Sequence, residues 1–388
     1  MTATAGKTKV LEITGTLYVG GAEHVVVNLA RGAERTRFEV AVCCTQGRGP
    51  LADELETDGI AVYGEGSDGR LKRYLAVRQL YRVMTSFAPD VIHTHGLPAM
   101  LEVWPLALLR LTPRWIHTFH FGNYPYALRR YMLAERLSAH AADSLVAVSE
   151  GQRDALVRYH RLAPERILVL PNGVPDNRFR GDASVRLRKR AELDLAVDAP
   201  VVGSIAVLTE QKGMTYLLRA AQAVLQRRPD ARFVIVGGGP LEAQLRREAE
   251  GLGVAHAVIF TGWRADVAQI LLAFDVFVMA SLWEAMPLTL LEAMAAGRAV
   301  VVTDVGDNRR IVQDGRAGLV VPPRDAPAIA EAVLRLLEGP RAAADLGQVA
   351  RERFDACFSV SRMMAGYERL FAGGDPADGI GLRGNSGY

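Results

Sequence analysis

Two glutamates separated by seven residues lie in the stretch SLWEAMPLTLLEAMAAGRAVVVTD, residues 281–304. Glu284 falls in a predicted loop, and Glu292 falls inside the helix that we expect to begin at Pro287. The amino end of a helix offers unpaired N–H groups and a partial positive charge, so it can hold a phosphate. Carboxylates beside it accept hydrogen bonds from hydroxyls. The stretch therefore suits a diphosphate with hydroxyls on both sides, as in a nucleotide sugar.

The backbone of this predicted helix start would supply the phosphate contacts. Pro287 fits the first helical position, where a missing N–H costs nothing. The amides of Met286, Leu288 and Thr289 would then donate to the phosphate, whereas Pro287 cannot. The alternative is that the two carboxylates are ordinary solvated charges, and their spacing alone does not separate these interpretations.

Two other predicted strand-to-helix loops carry residues suited to a diphosphate. Lys212, in IAVLTEQKGM, precedes a glycine and a helix, where its ammonium group can neutralise phosphate charge. Gly20 and Gly21, in TGTLYVGGAEHVVVNLA, allow close backbone approach at a helix start. An exposed turn lysine and a tight turn are the alternatives. The G-x-G-x-x-G spacing of dinucleotide-binding proteins is absent from the second loop.

Histidines are concentrated in the first half of the chain, which holds seven of the eight. His93 and His95 end one predicted strand, and His117 and His120 end another. Any one of them taken alone is best interpreted as a structural histidine, but several at strand ends favour a functional position for at least one, and His120 directly precedes a glycine-containing loop. No HExxH motif or cysteine partner accompanies these histidines, so we predict no metal site.

Composition restricts the class of protein. The chain has 388 residues, a net charge of +3 and no block of Lys and Arg, so we expect no nucleic-acid partner. Three cysteines give no disulfide framework and fit a reducing, cytoplasmic location. The N-terminus has no apolar h-region, so we expect no signal peptide. No apolar run approaches the roughly 18 residues that span a bilayer.

Short apolar runs alternate with amphipathic helical segments along the chain. Seven candidate strands precede residue 176, from KVLEIT to ILVLPNG, and six follow it, from VVGSIAV to GLVVPP. Continuous Val- and Ile-rich strands alternating with helices predict parallel sheets covered on both faces. We therefore expect two doubly wound α/β domains, 1–176 and 177–352, with a tail at 372–388 that is disordered.

One segment mixes aromatic and basic side chains. WIHTFHFGNYPYALRRYML carries Arg129 and Arg130 among tyrosines and phenylalanines. Such a segment can rest on a membrane surface or bind an acceptor. An ordinary amphipathic helix with its loop explains the composition equally well.

Several motifs in order resemble a retaining glycosyltransferase of family 4. The matching stretches include GGAEHVVVNLA, DVIHTHG, VAVSEGQRDAL, GSIAVLTEQKG, RFVIVGGGPL, FTGWRADV and the E-x7-E stretch, and they cover nearly all of residues 8–371. The resemblance implies the GT-B architecture, in which two Rossmann-like domains face each other across a cleft. It also implies that a final helical segment, 353–371, rejoins the first domain.

The resemblance implies roles for individual residues. Glu284, His120 and Lys212 would be catalytic: the first two lie near the donor sugar, and the lysine binds the donor phosphates. Glu292 would hold the ribose, and Trp263 and Arg264 would line the base pocket. The full donor-binding set that it implies is Gly20, Gly21, Lys212, Trp263, Arg264, Glu284, Met286, Leu288, Thr289 and Glu292.

The implied activity is retaining transfer of a hexose-type sugar from a UDP- or GDP-sugar to a glycan, lipid-linked or small-molecule acceptor. No metal and no cofactor beyond this co-substrate are implied, and the location expected is cytoplasmic, with peripheral contact at the inner face of the membrane. Val207 stands where the family usually has a phosphate-binding arginine. That departure keeps a second interpretation open, a catalytically weak homologue that serves as a scaffold in a glycosylation complex. A sugar-nucleotide epimerase is a third.

Overall fold

A computed structural model describes residues 6–64, 73–176, 179 and 183–374. The chain forms two compact units. The first comprises the residues up to Gly173 and a returning segment from Val360, and the second runs from Val174 to Ser359. The tail expected at 372–388 lies outside the described residues from position 375 onward.

Each unit is built on one parallel sheet. The strands of the first are β1 (Thr8–Thr16), β2 (Phe38–Gly47), β3 (Ala61–Tyr63), β4 (Val91–His95), β5 (Arg114–Phe119), β6 (Ser144–Ala147) and β7 (Ile167–Val169). Those of the second are β8 (Val201–Ile205), β9 (Arg232–Val236), β10 (Val258–Gly262), β11 (Val276–Met279), β12 (Ala299–Thr303) and β13 (Leu319–Val321). The strand orders are β3-β2-β1-β4-β5-β6-β7 and β10-β9-β8-β11-β12-β13.

Helices connect these strands. In the first unit they are α1 (Gly21–Gly32), α2 (Pro50–Thr57), α3 (Arg73–Phe87), α4 (Gly96–Leu108), α5 (Arg129–Ala139), α6 (Glu150–His160) and, at the end of the chain, α15 (Val360–Phe371). In the second they are α7 (Ala183–Glu192), α8 (Met214–Arg227), α9 (Glu242–Gly251), α10 (Val267–Ala273), α11 (Leu288–Ala295), α12 (Asn308–Val312), α13 (Ala326–Glu338) and α14 (Pro340–Cys357).

The strands form where the sequence has short apolar runs. Every residue of β4, β8 and β12 is buried, as expected for strands covered on both faces. All thirteen predicted strands overlap a strand of the structure, and the expected class of two doubly wound α/β sheets is confirmed. The order of each sheet reverses between β1 and β4 and between β8 and β11, which are the positions where such sheets bind ligands.

The last helix completes the core of the first unit. Met363, Tyr367 and Phe371 of α15 are buried there, and Met364 lies so close to Gly32 of α1 that an added Cβ would approach its Cγ to 2.8 Å. Residues 353–357, which the sequence assigned to this returning helix, belong instead to α14 of the second unit. Among the described residues, no helix has both the length and the apolar character needed to cross a bilayer.

Candidate active site

The topological switch of the second sheet brings two predicted site residues together. Lys212 lies in the loop after β8, and Glu284 lies in the loop after β11. Because β8 and β11 are neighbours, these loops leave the same edge of the sheet side by side. The Lys212 Nζ donates to Glu284 Oε1 at 2.6 Å. The sequence places these residues 72 positions apart, and only the strand order shows that they meet.

Glu284 is a buried carboxylate, with 5% of its surface exposed. Ser281 Oγ donates to the same oxygen, Oε1, at 2.8 Å, and Gln211 Nε2 lies 3.4 Å from Oε2. A buried charge is tolerated when it is paired and hydrogen-bonded, as here. The lysine and these polar neighbours therefore hold the Glu284 carboxylate in a fixed position.

The two loops are joined through their backbones as well. Leu282 N donates to Gln211 O at 2.7 Å, and Gln211 Nε2 donates to Trp283 O at 3.0 Å. Gly213 follows Lys212 with φ +60°, and a Cβ there would lie 2.1 Å from Ala280 O. Only glycine permits this left-handed conformation and this close approach together. The glycine after the lysine thus allows the two loops to approach this closely.

A third loop supports Glu284 from the other side. Thr303 Oγ1, at the end of β12, donates to Ser281 O at 2.6 Å. Gly306 has φ +54°, and its added Cβ would lie 2.4 Å from Glu284 O. Strands β8, β11 and β12 therefore all contribute to the position of one carboxylate.

The helix that follows Glu284 begins one residue later than expected. Pro287 is the N-cap of α11, with φ −77° and ψ 123°, so Leu288 is the first helical residue and Met286 precedes the cap. This corrects the prediction that Pro287 occupies the first helical position. Pro287 makes no side-chain cap hydrogen bond at this end of the helix. The amides of Leu288 and Thr289 lie in its first turn, and half-buried Glu292 lies one turn further along.

The two residues predicted to line a base pocket, Trp263 and Arg264, make different side-chain contacts. Trp263 is 56% exposed, and its Nε1 would lie 2.6 Å from a Cβ on Gly238, so the indole covers this glycine in the loop after β9. Arg264 instead makes a bidentate pair with Asp266, with Nε to Oδ1 and Nη2 to Oδ2 both at 2.8 Å. It also pairs with Glu192. These bonds hold the pKa of Asp266 well below its usual range.

The glycines after β1 form the start of α1. Gly20 is the N-cap in an extended conformation, and Gly21 is the first helical residue. The carboxylate of Glu23 lies over Gly20, since an added Cβ would approach its Oε2 to 2.3 Å. Thr16 Oγ1 donates to Glu23 Oε1 at 3.2 Å. Burial raises the pKa of Glu23.

His120 of the first unit is hydrogen-bonded to a second histidine. His95, the last residue of β4, has its Nδ1 3.0 Å from His120 Nε2 and its Nε2 2.7 Å from Glu12 Oε2. Glu12 lies in the middle of β1 and is fully buried, with 0% exposed. Desolvation opposes its charge, yet His93 and His95 hold its pKa at about 2. Burial, first of all, lowers the pKa of His95 to about 4 and that of His120 well below the usual value.

A branch of this network reaches the last helix. His93 Nδ1 lies 2.8 Å from Glu12 Oε2 but is not aligned for a hydrogen bond. His93 Nε2 bonds to Thr118 Oγ1 at 2.7 Å, which in turn contacts the Tyr367 hydroxyl at 3.0 Å. His117, by contrast, lies on the opposite face of the sheet and bonds through Nδ1 to Thr94 Oγ1 at 2.8 Å.

Glu12, His93 and His95 are also the one group among the described residues that could hold a metal ion, with ligand atoms within 4.8 Å of one another. The sequence did not predict this group. Glu12 Oε2 and His95 Nε2 are separated by 2.7 Å, a hydrogen-bond distance, and His93 bonds through Nε2 to Thr118. We therefore interpret the group as a buried hydrogen-bonded network.

Comparison with known proteins identifies the family. A family model described as Glycosyltransferase Family 4 matches residues 19–178, and one described as Glycosyl transferases group 1 matches residues 199–339. The alpha-maltose-1-phosphate synthase of Mycolicibacterium smegmatis is 34% identical over 305 residues, which are 71% of this chain and 76% of that protein. The chain belongs to glycosyltransferase family 4.

Other relatives of this glycosyltransferase extend over most of its length. The UDP-Gal:alpha-D-GlcNAc-diphosphoundecaprenol alpha-1,3-galactosyltransferase of Escherichia coli is 26% identical over 350 residues, 87% of this chain and 90% of that protein. The crystal structure of Anabaena HepE in complex with UDP-glucose superposes with a TM-score of 0.83 at 21% identity, covering 94% of this chain and 99% of that one. The glycosyltransferase thus has the GT-B fold.

Sequence reasoning missed several residues of these two clusters. Ser281 and Gln211 are adjacent to predicted site residues, but single polar residues in loops are too common to be informative. Glu12 carried one signal, an acidic residue within the apolar strand KVLEIT. A charge within a buried strand needs a partner, so that position could have been selected for inspection.

Proposed function

We propose that this glycosyltransferase transfers a hexose-type sugar from a UDP- or GDP-sugar to an acceptor hydroxyl with retention at the anomeric carbon. The observation that carries the proposal is the 2.6 Å contact between Lys212 Nζ and Glu284 Oε1 at the switch point of the second sheet. Glu284 lies in the loop directly before α11. A cation, a carboxylate and first-turn amides at one sheet edge suit a diphosphate with an attached sugar.

The chemical task is to stabilise a leaving nucleoside diphosphate while positive charge develops on the sugar. Lys212 and the first-turn amides of α11 would stabilise the departing phosphate electrostatically. Glu284 would accept hydrogen bonds from sugar hydroxyls, and Glu292 from the ribose. Gly20 and Gly21 would allow close backbone approach to the substrate. Because Lys212 and the first-turn amides of α11 would supply the positive charge, we expect transfer to proceed in the presence of EDTA.

The comparisons support both substrates of the proposal. HepE was solved with UDP-glucose, and the E. coli relative is named for a UDP-galactose donor and a diphosphoundecaprenol-linked acceptor. A lipid-linked acceptor is therefore the first class to test. Glycan and small-molecule acceptors remain in the panel, since the M. smegmatis relative is named as a synthase of alpha-maltose 1-phosphate.

The test is a panel of UDP- and GDP-sugars, with release of UDP or GDP measured with and without lipid-linked acceptors. We expect one donor to be turned over, and the anomeric configuration of the product, read by NMR, to match that of the donor. Lys212→Ala and Glu284→Ala should each lower turnover at least 100-fold with folding intact. Glu331→Ala is the control, because this glutamate is 74% exposed in a surface pair with Arg227.

The outcomes separate the proposal from its rivals. Inversion in the product would refute retention. Tight nucleotide binding without turnover of any donor would favour the scaffold interpretation that Val207 suggested. Conversion of one nucleotide sugar into its epimer without acceptor would favour an epimerase. Wild-type turnover in both alanine variants would show that the pair is not the site.

We also infer that the first unit contacts an anionic membrane surface. The outward side of α5 carries Leu133 and Leu137, which are 57% and 48% exposed, while Glu135 on the same helix is buried. Helix α5 packs against α4, whose end exposes Leu108 and Leu109 at 65% and 68%. Arg110, which follows Leu109 in the chain, and Arg129 and Arg130, at the start of α5, are exposed as well. Apolar side chains among cations match the interface of anionic lipids.

Vesicle sedimentation tests the leucine surface. The wild-type protein should sediment with phosphatidylglycerol vesicles and much less with phosphatidylcholine vesicles. The double variant with Leu133→Glu and Leu137→Glu should stay in the supernatant, whereas Leu187→Glu, at a leucine 45% exposed in the second unit, should bind as the wild type does. Equal binding by all three proteins would refute this surface. The cytoplasmic location expected from the cysteines stays a prediction.

A further inference from the structure

The carboxylate of Glu12 is fully buried yet makes few hydrogen bonds. Its Oε1 has no hydrogen-bond partner among the described residues, and Oε2 makes one aligned bond, to His95. Replacing buried ionic groups by well-packed apolar side chains of similar volume is often neutral or stabilising, so stability alone does not require a carboxylate here. The position therefore points to a task other than folding.

The hydrogen bond that Glu12 accepts from His95 determines which ring nitrogens of His95 and His120 carry protons. An ionised carboxylate can only accept, so His95 Nε2 must carry a proton. A neutral imidazole has one N–H, so His95 Nδ1 is then an acceptor, and His120 Nε2 must donate to it across 3.0 Å. In a neutral His120 the remaining nitrogen, Nδ1, is consequently an acceptor. It has no partner among the described residues.

We propose that Glu12 and His95 are positioning residues that hold His120 in its Nε2–H tautomer and present its Nδ1 as a hydrogen-bond acceptor. The partner suited to such a nitrogen is a hydroxyl group, and a hydroxyl of the sugar substrate fits the transferase activity. That last clause rests on the proposed function, whereas the tautomer does not.

The neighbouring rings are consistent with a fixed His120. The His95 and His120 rings stack with centroids 5.2 Å apart and an interplanar angle of 21°. His95 is itself held against His93, with centroids 4.1 Å apart, and His93 is held by Tyr367 at 5.2 Å. Rotation of His120 would break its bond to His95. One carboxylate on a central strand thus fixes a side chain two strands away.

The test reads the tautomer directly. Protein labelled with ¹⁵N-histidine gives two-bond ¹H–¹⁵N spectra that distinguish protonated from unprotonated ring nitrogens, and His120→Asn assigns the signal. We expect a pure Nε2–H form in the wild type at pH 7.5. Glu12→Leu should give a mixture of tautomers at His120, as should His95→Leu. His117→Gln is the matched control, because His117 lies on the opposite sheet face and should leave the signal unchanged.

Kinetics add a second readout once a donor is known. A neutral hydrogen bond is worth roughly 1 kcal/mol, so Glu12→Leu should lower kcat/KM about fivefold, with the unfolding temperature close to the wild-type value. An unchanged pure tautomer in Glu12→Leu, or the Nδ1–H form in the wild type, would overturn the proposal. So would stoichiometric zinc that is lost in this variant. If Glu12→Leu changes the His120 tautomer but the wild-type protein has no transferase activity with any donor, the positioning role is supported and the proposed function is refuted.

Discussion

Replacing Gly213 by alanine should separate the two charges of the candidate active site. The residue has φ +60°, and an alanine Cβ would lie 2.1 Å from Ala280 O, where ordinary contact begins near 3.4 Å. The loop after β8 must therefore move by roughly 1 Å, a displacement that can cost about 100-fold in rate when catalytic groups shift. The 2.6 Å bond from Lys212 to Glu284 and the 2.7 Å bond from Leu282 N to Gln211 O both span this junction.

Gly253→Ala gives the matched control for the backbone strain. Gly253 has φ +74°, and nothing lies within 4 Å of its added Cβ. Both variants pay about 1 kcal/mol for an alanine in the left-handed region, which corresponds to about 2–4 °C in the unfolding temperature. Only Gly213→Ala also disturbs the backbone hydrogen bonds and contacts between the two loops, which should lower the free energy of unfolding by about 2 kcal/mol more.

The assay compares thermal unfolding and donor turnover for the two variants at a temperature where both are folded by near-UV circular dichroism. We expect Gly213→Ala to unfold about 6–12 °C below the wild type and to lose about 100-fold in turnover. Gly253→Ala should keep its turnover. Equal turnover per folded molecule in the two variants would refute the idea that this glycine sets the Lys212–Glu284 geometry.

Three further predictions concern charge and burial. Glu284→Gln removes the negative charge that pairs with Lys212 and would lie near the phosphate, so UDP or GDP should bind about 3–10-fold more tightly by calorimetry. Turnover should fall about 100-fold, and weaker nucleotide binding would count against the site. Burial holds the pKa of His117 well below 6.5 in the folded protein, so the unfolded chain binds more protons and the free energy of unfolding falls as the pH drops below 6.5. His117→Gln should lower the slope of the free energy of unfolding against pH, measured by urea titration, by about 1 kcal/mol per pH unit, and an unchanged slope would contradict this. Glu135 accepts from Tyr124 and Tyr126 at 3.0 Å each and pairs with His160, so Glu135→Ala should cost about 3–4 kcal/mol and Glu135→Gln less, whereas equal losses would show that the bonds contribute little.

The sequence predicts the strands well and the clusters poorly, for a physical reason. A strand buried on both faces must be continuously apolar, so runs such as AVVVT and VVGSI mark β12 and β8 directly. Periodicity gives no strand order, however. Lys212 and Glu284 meet because β8 and β11 are neighbours, and Glu12 meets His95 because β1 and β4 are neighbours. The family resemblance supplied the predicted site residues but not the side chains that contact them.

Cap geometry marks another limit. Pro287 suits the first helical position in general, yet here it is the N-cap, since its ψ of 123° is extended. The loop before this helix also packs closely on Gly306, a tertiary contact that no local sequence pattern records. One-residue differences in the helix start matter for function because they decide which amides face outward.

The return of α15 to the first unit has a consequence for biosynthesis. Residues 174–359 must be translated before the segment from Val360 can supply Met363, Tyr367 and Phe371 to that core. At about 5–20 residues per second, a nascent chain waits roughly 10–40 s with its earliest domain unfinished on the ribosome. The second unit can thus complete its core before the first unit does. A chain that ends before α15 would leave the core of the first unit incomplete and exposed to chaperones and proteases.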